Sequence, residues 1–534
     1  QYIGHSGMYQ ILAYFLVAFL GIFHGYEALG MIFLGLNQDH FCQVEALQEL
    51  PYSMQQHIAI PKKDDSYSQC EMFDLPWWSY NFSDFLNWNR TAVEMYANIT
   101  SCRKWNYRLS LFTRTLQTEF DLVCGSSWYI QMGSTCYLAG MLVGSFLSGI
   151  LSDRFGRTKA IVGGTALHPI IGLAMAYCPN IQLFCFLRFL LGVAAFTAFL
   201  SGYVYVSEII GPRFRTLGCL AFNNSYNIGC VLNAVQAYFV RDYVTLILVM
   251  ILPVFGTVSY YWVLPESPRW LNASGKKKEA MEVIQVIADV NKKELPEGIN
   301  LTVNEQKKQQ SHSFLDLFGP ELRKTTLIGF FLWITNSLLF YGIALNMGSL
   351  VGNVFLNAAI SSTMDIIATV LAGILAEKVG RKPATFACFF IGGISNLIII
   401  PLIVFQKTEW LLLTMTIIGR AGACASFCIT FLVTAELFPT QIRQVAMGSC
   451  STCSRFSGVL APYVGGPLAS VWRPLPSLIF GLFGVTSAGL TLLLRETINK
   501  PMPDTIEDVR ILEKNHQTRT LTEPDNAEEL ARLK

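Results

Sequence analysis

Apolar residues run along the chain in twelve stretches, near 9–36, 128–150, 158–177, 181–206, 217–239, 243–264, 326–345, 352–376, 384–405, 410–436, 445–470 and 474–494. Each approaches or exceeds the roughly 20 residues that a helix needs to cross the hydrocarbon core of a bilayer. The pattern predicts an all-α membrane protein of twelve transmembrane helices, and an even count puts both termini on one side. The first stretch is too long for the apolar core of a cleavable signal and lacks a small-residue cleavage pattern. The short loops "SDRFGRTK" (152–159), "GPRFR" (211–215), "EKVGRK" (377–382) and "TQIR" (440–443) are basic and fall on one face. The positive-inside rule makes that face, and with it both termini, cytoplasmic.

Two polar segments interrupt the pattern. Segment 37–127 lies on the outward face and holds Cys42, Cys70, Cys102 and Cys124, with Asn-x-Ser/Thr acceptors at Asn81, Asn89 and Asn98. Four cysteines among glycan acceptors point to two disulfides made in an oxidising compartment, with three pairings open. Segment 265–325, with "GKKKEA" and "NEQKKQQ", is a cytoplasmic linker with short helices. The expected organisation is therefore 1–36 (N-terminus and first helix), 37–127 (outer loop), 128–264 (rest of a first six-helix half), 265–325 (linker), 326–496 (second half) and 497–534 (cytoplasmic tail).

Composition agrees and narrows the function. Hydrophobic residues make up 52% of the chain and charged ones 14%, against roughly 25% charged in soluble domains. A net charge of +2 gives no attraction for nucleic acid. No "GxxxxGK[ST]" phosphate loop occurs, which argues against ATP as the drive, and no nucleophile, base and orienting group recur at an enzyme's spacing. Cys450-x-x-Cys453 has no second ligand pair, so no metal is expected. Gly140-x-x-x-Gly144 reads as an internal packing face. His24 and His168 read as hydrogen-bonded bundle residues, with a proton relay as the alternative.

The halves repeat at an offset of about 230 residues. "LSDRFGRTKA" (151–160) is echoed by "LAEKVGRKPA" (375–384), Glu208 and Arg215 by Glu436 and Arg443, Arg188 by Arg420, and "PESPRW" (265–270) by "RETINKP" (495–501). Duplicated halves around a midplane cavity are the design of an alternating-access transporter. Asp153, Arg154, Arg157, Arg188, Glu208, Arg215, Glu266 and Arg269 in one half, with Glu377, Arg381, Arg420, Glu436, Arg443 and Glu496 in the other, are expected to form a gating charge network at the cytoplasmic helix ends.

These motifs, with "GMYQ" (7–10), "TEFDLVC" (118–124), "KKQQSH" and "LDLF" in the linker, "AELFPTQIR" (435–443) and "ETINKPMPDTIED" (496–508), resemble the organic cation, anion and carnitine transporters of the major facilitator superfamily, the solute carrier family 22 type. The resemblance covers nearly the whole chain, although Arg495 replaces a usual proline and the outer loop has four cysteines where many relatives have six. It implies a major facilitator fold of two pseudo-symmetric halves, a plasma-membrane location, a monomer, a small organic ion as substrate and no cofactor. Sodium and protons both stay open as coupling ions.

A charge at mid-bilayer costs about 2.5–3.5 kcal/mol and so usually works for a living site. Arg455 in "STCSRFSGVLAPY" (451–463) and Asp365 in "TMDIIATVLAG" (363–373) are two such charges. The resemblance implies that arginine at position 455 marks anion or zwitterion carriers, where cation carriers have an acid. Many anion carriers place a lysine where this chain has Thr369. Arg455 would then hold a carboxylate and Asp365 a positive centre. Phe199, Phe222, Asn223, Tyr226, Trp333, Phe340, Tyr341 and Phe427 would form the aromatic pocket. The expected function is polyspecific transport of carnitine-like, ergothioneine-like or carcinine-like zwitterions or anions. The alternatives are a carrier of amines and quaternary ammonium compounds, or a receptor that no longer cycles.

Overall fold

The structure, a computed structural model, describes residues 7–498 except 64–65, 81–84, 86–87, 89, 110, 294–313, 348–351, 406–408 and 440, together with 503, 507 and 509. At 92, 212–217, 219, 220, 444 and 470 it describes the backbone alone. Twelve long helical segments follow the apolar pattern. They are α1 Met8–Leu29, α2 Trp128–Phe155, α3 Arg157–Ala176, α4 Ile181–Ile209, α5 Pro212–Phe239 and α6 Tyr243–Val263. The second set is α7 Arg323–Asn346, α8 Val354–Lys378, α9 Arg381–Val404, α10 Glu409–Leu437, α11 Arg443–Gly465 and α12 Leu475–Thr491. Within α6, Pro253 lacks an N–H for the α-helical ladder, and the chain tightens to a 3₁₀ helix over Leu252–Ser259.

Nine of these segments are long and apolar enough to cross a membrane: α1 with its continuation to Leu34, α2, α3, α4, and α6 through α10. The other three are helical at the expected places but more polar or shorter. α5 carries Asn223, Asn224, Asn227 and Asn233, α11 carries Arg443 and Arg455, and α12 has only 17 residues. Their polar side chains find partners on neighbouring helices, as where Asn233 Nδ2 donates to the Tyr26 carbonyl at 3.0 Å and Ser457 Oγ to the Ile334 carbonyl at 2.9 Å.

Packing repeats between the halves. α1 lies on α5, α2 and α3 on α4, and α3 on α6, while α7 lies on α11, α8 and α9 on α10, and α9 on α12. α2 against α11 and α5 against α8 join the halves. α2 crosses α4 closely, because a Cβ at Gly140 would sit 2.1 Å from the Phe189 carbonyl oxygen and one at Gly144 2.7 Å from that of Val193. The small-residue stripe is thus an internal seam.

Between α1 and α2 the chain builds a small disulfide-tied domain. β1 (His40–Cys42) pairs antiparallel with β6 (Trp105–Tyr107), β2 (Lys62–Lys63) with β3 (Ser66–Tyr67), and β4 (Glu71–Asp74) with β5 (Asn98–Ser101). Cys42 joins Cys102 and Cys70 joins Cys124, which selects one of the three open pairings. Phe41, Phe73, Trp77 and Phe85 form its core. His40 lies within 4.8 Å of the Cys70 and Cys124 sulfurs, but those sulfurs are bonded to each other and offer no thiolate. Asn98 is exposed at the start of β5, while Asn81 and Asn89 lie outside the described residues. In the linker, the helix Lys277–Val290 begins within "GKKKEA", and Asn291 Oδ1 after it accepts from the Tyr9 N–H at the start of α1.

The repeated loop motif has one mechanical meaning in both halves. Gly156 and Gly380 take φ of +110° and +125°, the region that a side chain disfavours, and turn the chain into α3 and α9. Each helix start is then capped by the acid that closes its own half. Glu266 accepts from the N–H of Arg157 at 2.7 Å and Thr158 at 3.1 Å, and Glu496 from those of Arg381 and Lys382 at 3.0 Å each. Burial alone would raise the Glu496 carboxyl, but donors from Ile498, Lys382, Thr497 and Arg381 outweigh it and hold it below its ordinary 4.5. A depressed folded value means that this stabilisation is complete above about pH 4.5 and is lost as pH falls through the lower folded value. Glu496→Gln should therefore lower the melting midpoint at neutral pH and flatten its acid dependence. An unaltered midpoint-against-pH curve would refute the cap.

Candidate functional site

Both halves wall a central cavity, concave and lined mostly by rings as small-molecule sites are. His24 comes from α1, Met141 from α2, Phe196, Phe199, Leu200 and Tyr203 from α4, and Asn223, Tyr226 and Asn227 from α5. Facing them are Phe340 and Tyr341 of α7, Cys424, Phe427, Cys428 and Phe431 of α10, and Arg455 of α11. Such a wall offers ring faces for an organic body and a few polar atoms to orient it.

Arg455 is the one permanently charged residue among the described lining residues. Its guanidinium lies 4.4 Å from the Phe196 ring centroid, its Nε has no hydrogen-bond partner among the described residues, and Tyr341 is within its electrostatic reach. No carboxylate is described as pairing with it. Phe199, Asn223, Tyr226, Phe340, Tyr341 and Phe427 also line the cavity as expected by resemblance.

Three expected members do not reach it. Phe222 is buried in the α1–α4–α5 core, 5.0 Å from the Phe199 ring. Trp333 turns its Nε1–H to Thr434 Oγ1 at 2.9 Å and packs behind Phe431 at 4.3 Å. Asp365 is fully buried, and its Oδ2 accepts from Arg420 Nε at 2.9 Å. The Arg420 guanidinium lies over the Phe340 ring at 5.6 Å, so the ion pair stands behind the pocket wall. Thr369 is also withdrawn, donating to the Asp365 carbonyl at 2.8 Å.

Arg188 and Arg420 depart from the expected cytoplasmic network, since both are buried well inside their helices. Arg188 donates to Glu27 Oε2 at 2.8 Å and to the Glu27 carbonyl at 2.9 Å. A buried guanidinium needs such a partner, and the partner acid was legible as Glu27 in "FHGYEALG", a charge inside an apolar run. Glu27 was not among the residues expected from sequence, nor were Phe196, Tyr203, Asn227, Cys424, Cys428 and Phe431, which carry no signal beyond their place on facing helices.

The remaining charges gather at the basic-loop face, half by half. Arg157 bridges Asp153 at 2.6 Å and Glu208 at 2.9 Å, and Arg381 reaches Glu436 at 3.4 Å. Arg443 Nε donates to the Phe438 carbonyl at 3.2 Å, and Thr497 Oγ1 to Glu436. Arg154 lies over Phe155, while Glu377 and Arg269 are exposed. The Arg215 side chain lies outside the described residues. These pairs brace each half internally. At the opposite face the halves meet around Phe355 of α8, stacked on Phe33 at 5.7 Å and covered by Phe112, Tyr238 and the Arg241 guanidinium at 4.5 Å.

Comparison with known proteins agrees with this architecture. The family described as "Sugar (and other) transporter" matches residues 58–497. The organic cation transporter protein of Drosophila melanogaster is 31% identical over 548 residues, covering 99% of this chain and 97% of that one. Solute carrier family 22 member 2 of Homo sapiens is 30% identical over 532 residues, covering 96% and 94%. Among solved structures, the inward open xylose transporter XylE from E. coli superposes with a TM-score of 0.61 at 16% identity, over 94% of this chain and 99% of that one. A helical duplicate built around a central aromatic cavity, with relatives aligned almost end to end, belongs to the solute carrier 22 family of major facilitator membrane transporters.

Proposed function

We propose that the protein is a plasma-membrane carrier of small organic ions that favours substrates bearing a carboxylate, zwitterions above all. The observation that carries this preference is Arg455, a positive charge without a described carboxylate partner in a cavity otherwise walled by rings and small polar groups. A guanidinium fork suits a carboxylate, and the ring faces suit a quaternary ammonium at the other end of the molecule. In this reading all twelve helices cross the membrane, the disulfide-tied domain with its glycan acceptors is extracellular, and the termini and braced charge clusters are cytoplasmic. One copy of the chain suffices, since the cavity is complete within it. The Phe355 cluster joins the two halves on the outer side.

A second reading, transport of simple organic cations, is favoured by the names of the relatives and by the same ring faces. Uptake of labelled L-carnitine, benzoate and tetraethylammonium by cells expressing the chain separates the two. Carnitine should be fastest, benzoate next and tetraethylammonium slowest. Tetraethylammonium in first place would overturn the charge preference.

A further inference from the structure

Behind the pocket, α1 to α4 enclose a polar cluster that substrate binding leaves unused. Glu27 is 1% exposed; Arg188 occupies its Oε2, and its Oε1 has no hydrogen-bond partner among the described residues. His168, 3% exposed, brings Nε2 to 3.7 Å from that oxygen, and this nitrogen is also without a partner. Buried polar atoms are rarely left unpaired, and a proton shared between these two, which face each other across 3.7 Å, would make a charge-assisted hydrogen bond that closes to about 2.7–2.9 Å.

Arg188 Nη1 and Nη2 reach the other carboxylate oxygen and the Glu27 carbonyl, and its Nε has no partner among the described residues. The other titratable or charged groups near the cluster include His24 on α1, Tyr137 and Cys136 on α2, Cys185 on α4, Tyr226 and Cys230 on α5, Tyr341 on α7 and Arg455 on α11. Glu27 is the sole acid among these described groups. A sodium ion would need several oxygen ligands, whereas one carboxylate oxygen facing one imidazole nitrogen suits a proton.

The cluster also touches the pocket. The Tyr137 hydroxyl pairs with His24 Nδ1 at 3.0 Å, and its ring lies 4.8 Å beneath the Arg188 guanidinium. His24 itself lines the cavity, within electrostatic reach of both His168 and Arg455. A charge added at Glu27 and His168 is therefore felt where substrate sits.

We propose that Glu27 and His168 form a proton-binding site, linked to the pocket through Tyr137 and His24, that couples transport to the proton gradient. The proton is taken up from one side, held between Oε1 and Nε2, and released to the other side when the halves rock. The inference rests on the chain being a transporter, not on which organic ion it carries.

The direct test is titration of the full-length chain, labelled with ¹⁵N-histidine, in detergent micelles. Of seven histidines, one resonance should titrate, vanish in His168→Gln, and shift its midpoint by about one pH unit or more in Glu27→Gln. A His168 resonance that does not titrate between about pH 5 and 9, or titrates identically in Glu27→Gln, overturns the site. A second test uses proteoliposomes clamped at zero membrane potential. An inward proton gradient should speed uptake of L-carnitine or tetraethylammonium several-fold. His168→Gln should lose that response yet keep counterflow exchange, which moves no net proton. Wild-type uptake indifferent to the gradient overturns the coupling. Absence of wild-type counterflow with both probes would instead sink the transport reading, and the histidine titration would still decide the proton site.

Discussion

Replacing Arg455 with alanine is expected to weaken the binding of carboxylate-bearing substrates by about 30- to 1,000-fold while leaving tetraethylammonium within a few-fold of wild type. An ion pair at about 4 Å and an effective dielectric near 20 is worth about 4 kcal/mol, part of which goes to stripping water from both charges. A net loss of about 2–4 kcal/mol gives that range of affinity. The guanidinium is stacked on Phe196 beside Tyr341 rather than paired with a described acid, so its removal strands no buried carboxylate and should not unfold the bundle. Arg455→Lys keeps the charge but loses the fork and the stacking, and should fall between. Arg455→Glu should invert the preference toward cations. Saturation of labelled uptake, corrected for surface abundance by biotinylation, reads all three. Carboxylate affinity unchanged in Arg455→Ala at normal abundance would refute the assignment.

The helices were legible because a bilayer imposes one length and one polarity on whatever crosses it. α5 and α11 blur that signal, since asparagines and an arginine that face the cavity or neighbouring helices dilute the apolar run. The repeat could be read because Gly156 and Gly380 need the same unusual φ and Glu266 and Glu496 cap the same helix starts. Disulfide pairing could not be, because separations of 60 and 54 residues say nothing of which strands meet. Side-chain direction was the other hidden quantity. Arg455 and Asp365 both sit at mid-depth, yet Asp365 turns to Arg420 on α10 and not to the cavity. Phe222 and Trp333 share a helix with pocket residues but point into the bundle. Glu27 was available to the same reasoning that singled out Asp365, and only its partner Arg188 was noticed.

Neutralising Asp365 alone should be the most damaging single substitution in the second half. Asp365 and Arg420 are both buried, joined at 2.9 Å, and loss of one partner from a buried pair leaves an uncompensated charge at a cost of about 3–5 kcal/mol. Asp365→Asn should therefore lose most folded protein in size-exclusion profiles of a fluorescent fusion. The double change Asp365→Leu with Arg420→Met removes both charges and should recover much of it, because well-packed apolar residues often replace a buried pair without loss. The double variant also separates two roles for the acid. If Asp365 touches substrate, the refolded double variant should lose cation-bearing substrates selectively. If the pair only holds α8 against α10 behind Phe340, the double variant should rank carnitine, benzoate and tetraethylammonium as wild type does. The burial of Asp365 and its bond to Arg420 favour the second outcome. A well-folded Asp365→Asn that discriminates against cations would return the acid to the pocket.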